Sequence, residues 1–122
     1  MITSSLEDYL EYIHNKLTQE KTIKAVDIAN KFNVSRPTIS EALIKLADMD
    51  LIIYEGRRGI KITQKGIEQA KKTIKKHKVL SSFFKKILKV DSDLADKNAC
   101  KIEHVIDDEL IKKMNEYMKN HE

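Results

Sequence analysis

The sequence predicts a mainly α protein of two units: an N-terminal winged helix-turn-helix of three helices and a β-hairpin wing, then an all-helical unit. Three observations predict it. Apolar residues recur at helical spacing in three separate stretches up to Met49; two β-rich runs then flank Glu55-Gly56-Arg57-Arg58-Gly59; and helical spacing returns for the remainder. The boundary is expected inside the long fourth helix, giving domains 1–72 and 73–122.

Each element has a local reason. Ser4 or Ser5 can cap a first helix whose apolar stripe is Leu6, Leu10, Ile13 and Leu17. "TQEKT" breaks that pattern. A second, short helix fits "AVDIANKF" and a third fits "RPTISEALIKLADM", where Pro37 is tolerable in the first turn because its missing N–H breaks no hydrogen bond. "LIIYEGRRGIKIT" reads as a hairpin. Thr63 caps a fourth helix that runs to about position 88. "VDSD" interrupts, a fifth helix covers roughly 94–105, and Asp107 or Asp108 caps a last one with Leu110, Ile111, Met114 and Met118 facing inward.

The segment "DIANKFNVSRPTISEALIKL" meets the steric demands of a helix-turn-helix. Ala29 is small where two helices cross closely, and Asn33 tolerates the left-handed backbone of a tight turn. Ile28, Phe32, Val34, Ile39 and Ala42 take the buried positions. Ser35, Arg36, Pro37 and Thr38 at the exposed start of the third helix, with Ser40 and Glu41, are then expected to face base edges in the major groove of a double-stranded DNA operator. Arg57 and Arg58 at the wing tip suit phosphates or the minor groove.

Bulk properties are consistent with this. The chain has 122 residues, 34% of them charged, with one cysteine and a formal net charge of +4. Mean hydropathy is −0.48 and the pI near 9.1. Nine lysines stand against one acid, Glu68, between Thr63 and Lys89, a bias that by itself is an ordinary solvated face. No run of 18 apolar residues could span a bilayer, and "MITSSLEDYL" has no basic stretch followed by an apolar one, so no signal sequence is expected. A lone cysteine forms no internal disulfide, so a soluble protein of the reducing cytoplasm is expected.

Near the end, "ACKIEHVI" gathers Cys100, Glu103 and His104 at i, i+3 and i+4, one face if the run is helical. Thiolate, carboxylate and imidazole are the side chains that bind first-row transition metals. Singly, each has an ordinary reading: a small buried thiol, a surface pair. His77 occupies a slot in the apolar stripe of the fourth helix, and Asp8 and Glu11 stand at i, i+3 on the first.

In order along the chain, "SSLEDYLEYIH", the helix-turn-helix and wing, "ITQKG", "KKHKVLSSFF" and "NACKIEHVIDDEL" resemble the diphtheria toxin repressor family of metal-dependent repressors. The resemblance covers nearly the whole chain. It implies metal ligation by Asp8, Glu11, His77, Cys100, Glu103 and His104. Asp8 and Glu11 match the acidic pair of the manganese transport regulators, and Cys-x-x-Glu-His looks like the iron-sensing branch. Fe(II) or Mn(II) is therefore the expected ion, with Zn(II), Co(II) or Ni(II) able to bind in vitro. The family's SH3-like third domain is expected to be absent. The resemblance also implies a homodimer through the C-terminal helices, and repression of metal-uptake genes by metal-loaded protein. Metal shared between the two units would set the spacing of two recognition helices to one turn of DNA, ~34 Å. Neither an organic cofactor nor a membrane partner is expected.

Other classes fit less well. Gly-x-Ser-x-Gly, His-Glu-x-x-His and phosphate-cradling glycine loops are missing from the sequence, so an enzyme is not expected. A winged-helix regulator that senses redox state through Cys100 without metal, and a structural dimeric adaptor, are the alternatives.

Overall fold

The computed structural model describes residues 2–19 and 21–121. It divides into two compact units, Met1–Lys71 and Lys72–Glu122.

The first unit holds helices α1 (Ser4–Thr18), α2 (Ala25–Phe32) and α3 (Arg36–Asp48), strands β1 (Ile52–Tyr54) and β2 (Ile60–Ile62), and the opening turns of α4 (Gln64–Lys86). The cap of α1 is Thr3, one residue before the expected serines. The chain enters extended at Thr3, which puts its Oγ1 3.3 Å from the Leu6 N–H it accepts. Helix α2 begins where the Lys24 N–H donates to the Asp27 carboxylate at 2.9 Å. It ends at Asn33, whose φ of 53° and ψ of 50° supply the left-handed turn. Ser35 caps α3 through its Oγ and the Thr38 N–H.

Leu10, Ile13, Ile28, Ile39, Leu43 and Leu46 are fully buried and bind the three helices into one core. Each contributes about 1.5–3 kcal/mol through removal from water. Phe32 and Val34 are only half-buried; Phe32 lies at the edge of the core, its ring edge-on to Tyr9 and Tyr12 at 5.0 and 5.7 Å.

The strands pair antiparallel, with Ile52 opposite Ile62 and Tyr54 opposite Ile60. A single 3₁₀ turn, Gly56–Arg58, joins them. Thr63 Oγ1 accepts the Gly66 N–H at 3.0 Å, capping α4, and donates to the Asp50 carbonyl at 2.6 Å. Gly66 packs so closely on β-hairpin and turn that a Cβ there would collide with the Leu51 carbonyl oxygen.

The second unit consists of the rest of α4 with α5 (Ser92–Ile102) and α6 (Asp108–Asn120). Val79, Leu80, Ala99, Ile111 and Met118 form its core, with Phe83, Phe84, Ile87, Ile102, Ile106 and Met114 packed around them. Asp91 caps α5 by accepting the Leu94 N–H at 2.8 Å. Lys72 and Lys76 reach Asp108, in the first turn of α6, at 2.9 and 3.1 Å. Hydrogen bonds from Lys72 and then Lys76 hold the Asp108 carboxyl below the usual range.

Three expectations shift here. Helix α4 stops at Lys86, two residues early, where Lys89 turns the chain with a φ of 60°. Helix α5 starts earlier and stops at Ile102 rather than near Val105: Ile102 and Ile106 both pack on the core, and a turn between them accomplishes that. Leu110, expected to face inward, is 52% exposed. No helix among the described residues is long and apolar enough to cross a membrane.

Candidate metal centre and nucleic-acid face

Within the second unit, α4 and α5 bring three metal-binding side chains together. Ligand atoms of His77, Cys100 and Glu103 all lie within 4.8 Å of one another. His77 Nδ1 is 3.3 Å from Glu103 Oε1 and 3.7 Å from Cys100 Sγ. Cys100 is exposed, His77 half-buried and Glu103 buried, with 3% of its side chain accessible. Cys100 sits in the last full turn of α5. Glu103 follows the helix yet keeps helical backbone (φ −53°, ψ −29°), its N–H bonding the Ala99 carbonyl at 2.9 Å. Its carboxylate therefore stays on the face of α5 that carries Cys100.

The donor set suits a first-row divalent cation: soft sulfur, borderline imidazole and hard carboxylate converge from two helices. Burial of Glu103 strengthens the fit. A carboxylate removed from water is costly unless positive charge or donors meet it, and a cation would supply that charge.

The remaining expected ligands are placed as follows. His104 lies, half-buried, in the turn after α5. Asp8 and Glu11 stand one turn apart on α1 in the first unit, each half-buried.

Asp96 went unnoticed in the sequence. Its Oδ1 stands 3.9 Å from His77 Nε2 and 3.6 Å from Lys85 Nζ, and it accepts the Ser81 hydroxyl at 2.5 Å. That hydroxyl, ahead of the charges on Lys85 and His77, holds the Asp96 carboxyl below its ordinary range. A signal was available: Ser81 is four residues after His77 and Asp96 four before Cys100, each on its neighbour's helical face.

In the first unit, Ser35, Arg36, Pro37, Thr38 and Glu41 are exposed at the start of α3, and Ser40 is half-buried. Ser35 and Thr38 also bond each other, hydroxyl to hydroxyl at 2.7 Å, so both serve the helix cap. Arg57 and Arg58 are exposed in the 3₁₀ turn of the hairpin.

This order of elements and this pair of units have counterparts among known proteins. The description "Iron dependent repressor, N-terminal DNA binding domain" matches residues 1–60, and "Iron dependent repressor, metal binding and dimerisation domain" matches residues 63–122. The chain belongs to the iron-dependent repressor family. It is 34% identical to an uncharacterised HTH-type transcriptional regulator of Methanocaldococcus jannaschii, over 96% of this chain and 94% of that one. It is also 34% identical to the HTH-type transcriptional regulator MntR of Shouchella clausii, over 87% of this chain and 73% of the relative. Among solved structures, the manganese regulator SloR superimposes with a TM-score of 0.81 at 28% identity. That match covers 93% of this chain, which spans about half (53%) of the solved one. As an iron-dependent repressor family member, the chain is a transcriptional regulator of metal-dependent type, with a winged helix-turn-helix and a helical dimerisation unit.

Proposed function

We propose that this repressor binds its operator when loaded with Fe(II) or Mn(II), and that it controls metal-uptake genes. One observation carries the reading: imidazole, thiol and buried carboxylate converge within 4.8 Å in a domain of the metal-binding and dimerisation type. His77, Cys100 and Glu103 are the ligands the geometry supports. Asp8, Glu11 and His104 are proposed with them on the resemblance. Zn(II), Co(II) and Ni(II) would also bind such a set in vitro.

The DNA face is proposed as the start of α3, through Arg36, Pro37, Thr38, Ser40 and Glu41 with Ser35 at the cap, and the wing arginines Arg57 and Arg58. Exposure of all but half-buried Ser40 and the family's DNA-binding domain support it. Leu88, Leu94, Val105 and Leu110 are exposed on the second unit. Apolar surface of that extent suits pairing with a second copy, which would present two recognition helices to one operator. DNA and metal affinities then rise together by linkage.

The test is operator binding titrated anaerobically with Fe(II) and with Mn(II), alongside sedimentation. A protein that binds DNA equally well in excess chelator is not metal-activated. A monomer at micromolar concentration, with and without metal, removes the dimer.

A second reading has its own observation. Cys100 Sγ is exposed, which leaves the thiol open to oxidation and hence to redox sensing without metal. Native mass spectrometry before and after chelation separates the two: retained metal mass supports the first reading, and an oxidised but metal-free thiol supports the second.

A further inference from the structure

The His77 ring has two nitrogen edges, and they face different groups. Nδ1 faces Glu103 Oε1 and Cys100 Sγ, at 3.3 and 3.7 Å. Nε2 faces Asp96 Oδ1 at 3.9 Å. Asp96 is held in turn by Ser81, a residue only 6% exposed, whose hydroxyl donates to that same oxygen. Lys85 Nζ also stands 3.6 Å from it. Ser81, Asp96, His77 and the two ligands Cys100 and Glu103 thus form a continuous row between α4 and α5.

We propose that Asp96 is a positioning residue for the metal centre: it keeps the His77 proton on Nε2 and leaves the Nδ1 lone pair for the cation, while Ser81 anchors Asp96 for that task. This rests on the metal-binding reading above.

The physical reason is a competition for one proton. A neutral imidazole carries a single N–H, and the nitrogen opposite the better acceptor keeps it. Two carboxylates flank this ring, Asp96 at Nε2 and Glu103 at Nδ1. If Glu103 wins, the N–H points at a prospective ligand and the Nδ1 lone pair is lost to metal. If Asp96 wins, the ligand edge is ready before any ion arrives. Metal-ligating histidines commonly donate their second N–H to a carboxylate, and loss of that partner costs roughly 10–100-fold in metal affinity. The 3.9 Å separation exceeds a direct hydrogen bond by about 1 Å. A hydrogen bond to the ring therefore requires the Asp96 carboxylate, 51% of its side chain accessible, to turn toward Nε2 while Ser81 stays bonded to one oxygen.

The test reads the ring before it reads the metal. Long-range proton–nitrogen correlation of His77 in metal-free protein, at a pH where the ring is neutral, reports which nitrogen is protonated. Expected are Nε2–H in the native chain and in Asp96→Asn, whose amide oxygen still accepts, and a shift toward Nδ1–H in Asp96→Ala. Affinities for Mn(II) and Co(II) should fall about 10–100-fold in Asp96→Ala and far less in Asp96→Asn. A native ring protonated on Nδ1, or a tautomer unmoved in Asp96→Ala, overturns the proposal. Equal loss of metal in both variants with the tautomer unchanged would make Asp96 a ligand instead. A tautomer that responds in a protein that binds neither ion would leave the Asp96–His77 relation standing and remove the metal reading.

Discussion

Glu103 Oε1 stands 3.3 Å from His77 Nδ1, so a carboxylate with 3% of its side chain accessible meets an imidazole from the neighbouring helix. A carboxylate so far removed from water is a strong ligand for a cation that reaches it. Glu103→Gln should therefore abolish stabilisation by metal. With Mn(II) about 100-fold above its Kd, native protein should gain ~2.7 kcal/mol and the variant almost nothing. Urea unfolding with and without the ion measures both. A full metal-dependent gain in the variant would remove Glu103 from the ligand set.

Cys100 offers sulfur where a carboxylate would be harder. A thiolate favours Fe(II), Co(II) or Zn(II) over weakly bound Mn(II). Cys100→Glu should improve activation of operator binding by Mn(II) relative to Fe(II), measured for both proteins at one ionic strength. An unchanged ratio means that Cys100 does not discriminate between the ions.

Arg57 and Arg58 project from the 3₁₀ turn of the wing. Changing both to Ala should weaken binding to all sequences and reduce the salt slope by about 1 for each phosphate that an arginine had neutralised. Changing Pro37 should blur the preferred sequence instead. Ser35→Ala should also destabilise α3 by ~1 kcal/mol, because its hydroxyl caps that helix. Fluorescence anisotropy over a salt series distinguishes these outcomes; an unaltered slope in the double arginine variant would refute the wing assignment.

Gly66 meets Leu51 where no side chain fits. A Cβ would overlap the Leu51 carbonyl oxygen and lie 2.8 Å from Ile62 Cγ1. Gly66→Ala should cost on the order of 3 kcal/mol despite the better helix propensity of alanine, because backbone has to move. Denaturant midpoints give the answer directly.

His14 is buried on α1, and burial, followed by the Lys71 charge, holds its pKa below the ordinary 6.5. The unfolded chain then takes up this proton more readily than the folded one. The His14 contribution is complete above pH 6.5 and declines as pH falls through that value toward the folded pKa. His14→Leu should flatten the stability profile below that pH, as followed by urea unfolding across the range.

Much of this protein was legible in one dimension. The range Ala25–Phe32 of α2, the left-handed Asn33 and the hairpin around Gly56 and Gly59 follow from steric rules acting over a few residues, which sequence displays directly. Cys100 and Glu103 lie together for the same local reason, since i, i+3 spacing holds wherever backbone stays helical.

What tertiary structure decided depends on surfaces that meet from far along the chain. Helix α5 ends at Ile102 with neither glycine nor proline to stop it, because Ile102 and Ile106 must both reach the core around Leu80 and Ala99. Leu110 lies outside because the inward face of α6 is set by Ile111 and Met118 against α4. Gly66 is required by a carbonyl fifteen positions earlier. The approach of His77 to Glu103 on one edge and to Asp96 on the other exists only once α4 and α5 have packed. Local spacing determined which residue types share a helical face; the packing of one face on another determined which of them meet.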